Sequence, residues 1–153
     1  MTIERHLLAD GGVVPNNPLV PLVVYRGMLP KGRPERIIAH FAARGWSNAW
    51  VNGIYDFHHY HATTHEALGL ATGSACVQFG GPAGILVNVD AGDGVLSPAG
   101  VGHCLLSSSG NLAVAGAYPG GADWDLVRAG RDAADRARPL IAAIAAPATD
   151  PIA

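Results

Sequence analysis

The sequence predicts an all-β fold, an antiparallel sandwich or barrel, preceded by one short helix and followed by a helical tail. Two observations carry the prediction. Between Trp46 and Tyr118, short apolar or alternating runs succeed one another: AWVNGIYDFHHYH, HEALGLAT, SACVQFGG, GILVNVD, GVLSPAG, HCLLSSSG and NLAVAGAY, about seven strands at the pitch of a sandwich or barrel. A Gly or Pro interrupts this stretch every ten residues or fewer, which leaves no room for a helix of useful length.

The flanking elements follow in order. Residues 10–21, DGGVVPNNPLVP, hold Gly-Gly and three prolines, which forbid regular helix and a central strand alike, so they read as an ordered arm. The arm leads into a short strand, LVVYR, at 22–26. Residues 34–44 form the clearest helix, with Pro34 at its first position, Glu35 in its first turn and Gly45 as a stop signal. Ile37, Ile38, Phe41 and Ala42 recur at helical spacing and form its apolar stripe, leaving His40 and Arg44 nearer solvent. In the tail, 130–144, an Ala and Arg pattern favours helix, but Pro139 removes a backbone donor and restricts Arg138, so one or two turns before Pro139 are expected.

Composition excludes several functions. A chain of 153 residues reads as one domain, 1–153, able to bury about 70% of its unfolded surface without staples. Its 49% hydrophobic content and net charge of -2 are those of a folded chain rather than a disordered one. Ten scattered basic residues, nine Arg and one Lys, against 12 acidic ones do not form a phosphate-binding patch, so nucleic acid is not an expected partner. MTIERHLLAD lacks a signal-peptide core, and the longest apolar run, 139–148, is far shorter than the roughly 20 residues of a membrane span, so no membrane partner and a cytoplasmic location are expected. In that compartment Cys76 and Cys104 are expected as free thiols.

The seven histidines are the exception to this plain composition, because His58, His59, His61 and His65 share one eight-residue window. On an extended strand alternate side chains face one way about 6.6 Å apart, so His59 and His61 can grip one metal ion together. Glu66 follows His61 by five residues, so Ala62–Thr64 must turn to bring it to the next strand. A tight turn through Pro98, Gly100 and Gly102 then delivers His103, completing a set of three histidines and one carboxylate in a barrel interior. His65 is a rival to Glu66 as a ligand, being itself a good ligand type. By strand parity His58, His65 and Cys104 face away from the metal, whereas Tyr55 and Phe57 share the face of His59 and are candidate substrate contacts. Gln78 and Tyr118 are further substrate candidates. No serine sits in a nucleophile elbow, and Gly80, Gly81 and Gly84 precede no helix that would make a phosphate loop.

These residues resemble the two motifs of the cupins, small jelly-roll barrels. The first motif runs Gly53, five residues, His59, one, His61, four, Glu66, six, Gly73; the second runs Gly92, five, Pro98, one, Gly100, two, His103, with Ser107 where the family has Asn. The resemblance covers about residues 48–118. The flanks NGIYDFHHYHATTHE, SPAGVGH, AVAGAYPGGADWD and PATDP are similar, more narrowly, to small single-domain bacterial cupins of the YjlB type. The resemblance implies a cupin double-stranded β-helix and one divalent transition metal (Fe, Mn, Ni, Zn, Co or Cu) on His59, His61, Glu66 and His103. It also implies a small-molecule substrate and a homodimer, with the Pro-rich arm as an exchange element. Three imidazoles and a carboxylate leave two positions of a six-coordinate metal open, which suits dioxygenase chemistry first, then isomerisation or elimination, then small-molecule capture without turnover.

Overall fold

The computed structural model describes residues 1–153. Eleven strands and two helices follow in the order β1 (Ile3–His6), β2 (Leu22–Tyr25), α1 (Pro34–Ala42), β3 (Trp46–Asn52), β4 (His59–Tyr60), β5 (Glu66–Thr72), β6 (Ser74–Phe79), β7 (Ile85–Asp90), β8 (Gly94–Ser97), β9 (His103–Ser108), β10 (Ala113–Pro119), β11 (Val127–Arg128) and α2 (Arg131–Ala142). They form two antiparallel sheets, a six-stranded one in the order β1-β2-β8-β5-β10-β3 and a five-stranded one in the order β11-β4-β9-β6-β7. This is the two-sheet antiparallel architecture that the sequence predicts, with α1 between β2 and β3 and α2 after the last strand.

The two sheets differ in pattern because they differ in what covers them. The five-stranded sheet has one wetter face, and β6 and β7 alternate accordingly: Val77, Phe79, Val87 and Val89 are buried while Leu86, Asn88 and Asp90 are exposed. The central strands of the six-stranded sheet, β2, β8, β5 and β10, are covered on both faces. Their inner residues Leu22, Val24, Leu68, Leu70, Val95 and Val114 join those of β6 and β7 in the barrel core. Their outer residues Val23, Tyr25, Ala67, Leu96 and Ala115 pack under Ile37 and Phe41 of α1. LVVY, EALGLAT and GVLS therefore read as continuous apolar runs. Gly69 permits the approach of α1, since a Cβ there would lie 2.7 Å from Ile37 and 2.8 Å from Leu29.

Four local expectations are corrected. The run AWVNGIYDFHHYH is not one strand: β3 ends at Asn52 as the edge of the six-stranded sheet, and the chain crosses through 53–58 to reach β4 in the other sheet. Helix α1 stops at Ala42, which is exposed, and residues 43–45 continue as turn. Helix α2 runs through Pro139 for 12 residues, because Ala134, Ala137 and Ile141 bury against Val14, Tyr60 and Ala62 and outweigh the one backbone bond that proline removes. The edge strand β1 has no counterpart among the runs read from the sequence; it pairs with β2 from Ile3 opposite Tyr25 to His6 opposite Leu22.

The arm at 10–21 is ordered by its asparagines. The amide of Asn16 donates to Ala9 O and Gly80 O and accepts from Gly102 N, while Asn17 donates to Ala99 O. These bonds hold the 98–102 turn from outside. At the other end of the chain Tyr25 donates to Asp150 at 2.6 Å, Trp46 to Thr149 at 3.1 Å and His40 to Ile152 O at 2.8 Å, which seats Ile152 in the outer core. No helix is long and apolar enough to cross a membrane.

Candidate metal centre

β4, β5 and β9 converge inside the barrel, each contributing at its end. His59 pairs directly with His103 between β4 and β9, which sets their rings 4.1 Å apart. The chain then turns through 62–64 and enters β5 with Glu66 pointing into the same space. Asp125 holds that turn: its carboxylate accepts from Ala62 N at 3.0 Å, Thr63 N at 3.1 Å and Thr63 Oγ1 at 2.9 Å.

His61, Glu66 and His103 bring one donor atom each to within 4.8 Å of one another, and all three side chains are buried. His61 Nε2 lies 3.1 Å from Glu66 Oε2, and His103 Nε2 lies 3.4 Å from Glu66 Oε1. Tyr118 donates to Glu66 Oε2 at 2.7 Å and in turn accepts from Trp50 Nε1 at 2.8 Å. Trp50 reaches this position because β10 carries Gly116 opposite it; a Cβ there would stand 2.2 Å from the indole ring. His59 shares the cavity but its donor stands outside the close group of three.

Backbone carbonyls fix the histidine tautomers. His59 Nδ1 donates to Phe57 O at 2.7 Å, His103 Nδ1 to Val101 O at 3.2 Å, and His61 Nδ1 to Asp125 O. Each imidazole thereby keeps Nε2 for the cavity, and outer-sphere acceptors of this kind are what orient metal-ligating histidines. Together with a carboxylate, the donor set suits a borderline divalent cation. The residues fit a metal.

The electrostatics agree. Burial opposes the charge on Glu66, but hydrogen bonds from His103 and His61, reinforced by their charge, hold its carboxyl well below the ordinary range. Burial likewise opposes protonation of His61, yet the Glu66 carboxylate raises it above the ordinary histidine value. Burial, with repulsion from His103, pushes His59 down to about 3, so its ring is neutral. Burial and the adjacent Glu66 carboxylate raise Tyr118, which stays a protonated donor.

The remaining site candidates divide. Tyr55 and Tyr118 line the cavity. Phe57 does not: because 53–58 is a crossing loop rather than strand, its ring lies between Tyr55, at 5.0 Å, and the guanidinium of Arg128, at 3.7 Å. Gln78 is on the outer face of β6, where its amide donates to Pro82 O. His65 is turned away from the cavity, accepting from Ala99 N at 2.9 Å and donating to Ala145 O at 2.7 Å, so Glu66 and not His65 joins the cluster. Trp50, Trp124 and Asp125 are not among the residues that the sequence singles out. Only their proximity in the fold, through β3 and the 119–126 segment, marks them.

No family model matches the chain. The Bacillus subtilis (strain 168) protein YjlB is 42% identical over 150 residues, covering 97% of this chain and 89% of that protein. Among solved structures, acireductone dioxygenase from Bacillus anthracis, with a cadmium ion in its active centre, aligns at 18% identity and TM-score 0.42 over 59% of this chain and 60% of that one. A single-site variant of oxalate decarboxylase from Bacillus subtilis aligns at 20% identity and TM-score 0.40, over 71% of this chain but 22% of that one. This chain therefore spans less than two thirds of either solved protein. With 42% identity across nearly its whole length, the chain belongs to the YjlB family.

Proposed function

We propose that the protein is an enzyme that acts on a small molecule at a divalent metal held by His61, Glu66 and His103, with His59 as fourth ligand, and that its chemistry is of the dioxygenase type. One observation carries the reading: two histidines and one carboxylate, all buried, present donors within 4.8 Å of one another at the bottom of a cavity. Imidazole and carboxylate donors with coordination positions left open suit a divalent transition metal, iron among them. When bound, such a metal supplies Lewis acidity and, if redox-active, electrons for dioxygen.

The chain's own groups supply the rest. Tyr118 stays protonated beside Glu66 and steadies that carboxylate through its hydroxyl. Trp50 fixes the phenol's orientation by its indole N–H. Leu68 and the aromatic side chains give the donors an apolar surround.

The test is elemental analysis of protein purified without added metal, followed by an oxygen-uptake screen over small-molecule panels. About one redox-active metal per chain in the wild type, and most of it lost in His61→Ala and Glu66→Ala variants that remain folded, is the expected result. Equal metal in the variants refutes the ligand assignment. A metal without any oxygen uptake refutes the dioxygenase reading and directs attention to isomerase or lyase chemistry.

A further inference from the structure

The cavity above the donors has a volume of about 320 Å³ and an unusual wall. Two of the chain's three tryptophans and two of its four tyrosines, Trp50, Trp124, Tyr55 and Tyr118, line it. None of the ten basic residues does. Its other polar lining groups, away from the donors, are the side-chain amides of Asn48 and Asn52.

The mouth is where apolar surface is left open. Trp124 is 43% exposed and Tyr55 48% exposed although both face the cavity. Trp124 does not lie loose on the surface: it stacks along Tyr118 at 6.4 Å and meets His61 edge-on at 5.7 Å. Its neighbour Asp125 fixes it from behind through the bonds to the 62–63 turn. A large ring held rigidly at a cavity mouth and half uncovered is surface that a flat apolar partner would bury.

Charge narrows the partner further. A dicarboxylate too long to chelate one metal through both its carboxylates would leave one of them facing aromatic rings with no Lys or Arg to receive it, which is a costly arrangement. A quaternary ammonium would find aromatic faces but would share the cavity with a divalent cation of the same sign. A neutral ring carrying oxygen donors at one end meets neither objection. Its face covers the aromatic walls, and its oxygens reach the end where Tyr118 and the histidine and glutamate donors lie.

Building on the metal-centre reading above, we propose that the ligand of this cavity is a small, flat, uncharged ring molecule with two adjacent oxygen donors, of the catechol class. Trp124 is the wall that selects it, and the half-exposed Tyr55 adds a second aromatic face to the mouth.

The experiment is isothermal titration of the zinc-loaded full chain, in which zinc prevents redox turnover, with catechol, oxalate and tetramethylammonium as probes. Zinc content is measured in every sample. Catechol is expected to bind the zinc-loaded wild type more tightly than either other probe and to bind the metal-free chain much more weakly. Trp124→Ala is expected to weaken catechol about tenfold, equivalent to about 1.4 kcal/mol, with unchanged zinc content, and Trp124→Phe to recover most of the loss. Tyr55→Ala, on the exposed loop, gives a second reading of the same wall. Failure to take up zinc refutes the metal reading and this proposal with it. Full zinc uptake with oxalate or tetramethylammonium bound in preference, or with catechol affinity unmoved by Trp124→Ala and Tyr55→Ala, overturns the ligand class alone.

Discussion

Replacing Gly116 by Ala tests how the fold reaches into the site. The added Cβ would stand 2.2 Å from two atoms of the Trp50 ring and 2.7 Å from its nitrogen, distances no side chain tolerates. The indole is rigid, so it must rotate away or push β3 off β10. Either movement breaks the bond from Trp50 Nε1 to Tyr118, worth about 1 kcal/mol. Lost packing adds about 2 kcal/mol, within the usual range for overpacking. The expected destabilisation is about 3 kcal/mol, which for a domain of this size lowers Tm by roughly 9 °C. Calorimetry measures it, and tryptophan emission reports the changed ring environment. Gly110→Ala is the control, because a Cβ at Gly110 meets nothing within 4 Å. A Gly116→Ala protein within about 0.5 kcal/mol of wild type, or a Trp50→Leu, Gly116→Ala double variant no more stable than Gly116→Ala alone, would refute the account.

Three other outcomes follow from the site. Asp125→Ala removes the acceptor of the 62–63 turn and loosens His61 with it, so zinc affinity measured by competition with a chelator is expected to fall ten- to a hundredfold; unchanged affinity would show that the turn holds without it. Tyr118→Phe leaves Trp50 Nε1 and one lone pair of Glu66 without their partner, and a loss of about 1–2 kcal/mol in denaturant unfolding with metal content retained is expected; loss of the metal instead would make Tyr118 part of the binding set. Because Glu66 raises His61 above its usual 6.5, the His61–Glu66 pair stabilises the metal-free chain fully below pH 6.5 and loses that contribution as pH rises through the raised value. Metal must displace that same proton, so the rise in Tm on adding zinc is expected to grow from pH 5.5 to pH 8; a flat profile contradicts it.

Much of the centre is legible along the chain because the two histidine motifs fix spacing, and spacing on strands fixes direction. His61, Glu66 and His103 meet as their turns require, and the positions of Pro98 and Gly100 announce the turn that delivers His103. Parity fails where the strand itself fails. Alternation from His59 assigns Tyr55 and Phe57 to one face, but 53–58 crosses between sheets, and there alternation has no meaning. Between Glu66 and His65 the sequence favours Glu66, since His65 falls on the other strand parity. The structure agrees: His65 is bonded to Ala99 and Ala145, away from the cavity.

By itself the sequence determined the antiparallel β character of the chain and the histidine and glutamate pattern, since these depend on local periodicity and on turn residues that act within a few positions. The sheets themselves reach beyond 48–118, because β1, β2 and β11 complete them. Tertiary structure alone decided what surrounds the donors. Trp124 and Asp125 lie 63 and 64 positions from His61 in the chain, and Trp50 lies 68 from Tyr118, yet these pairs are in contact. Sheet closure brings them together, and closure is a property of the whole hydrogen-bonded array, carrying no signal in any short window of sequence.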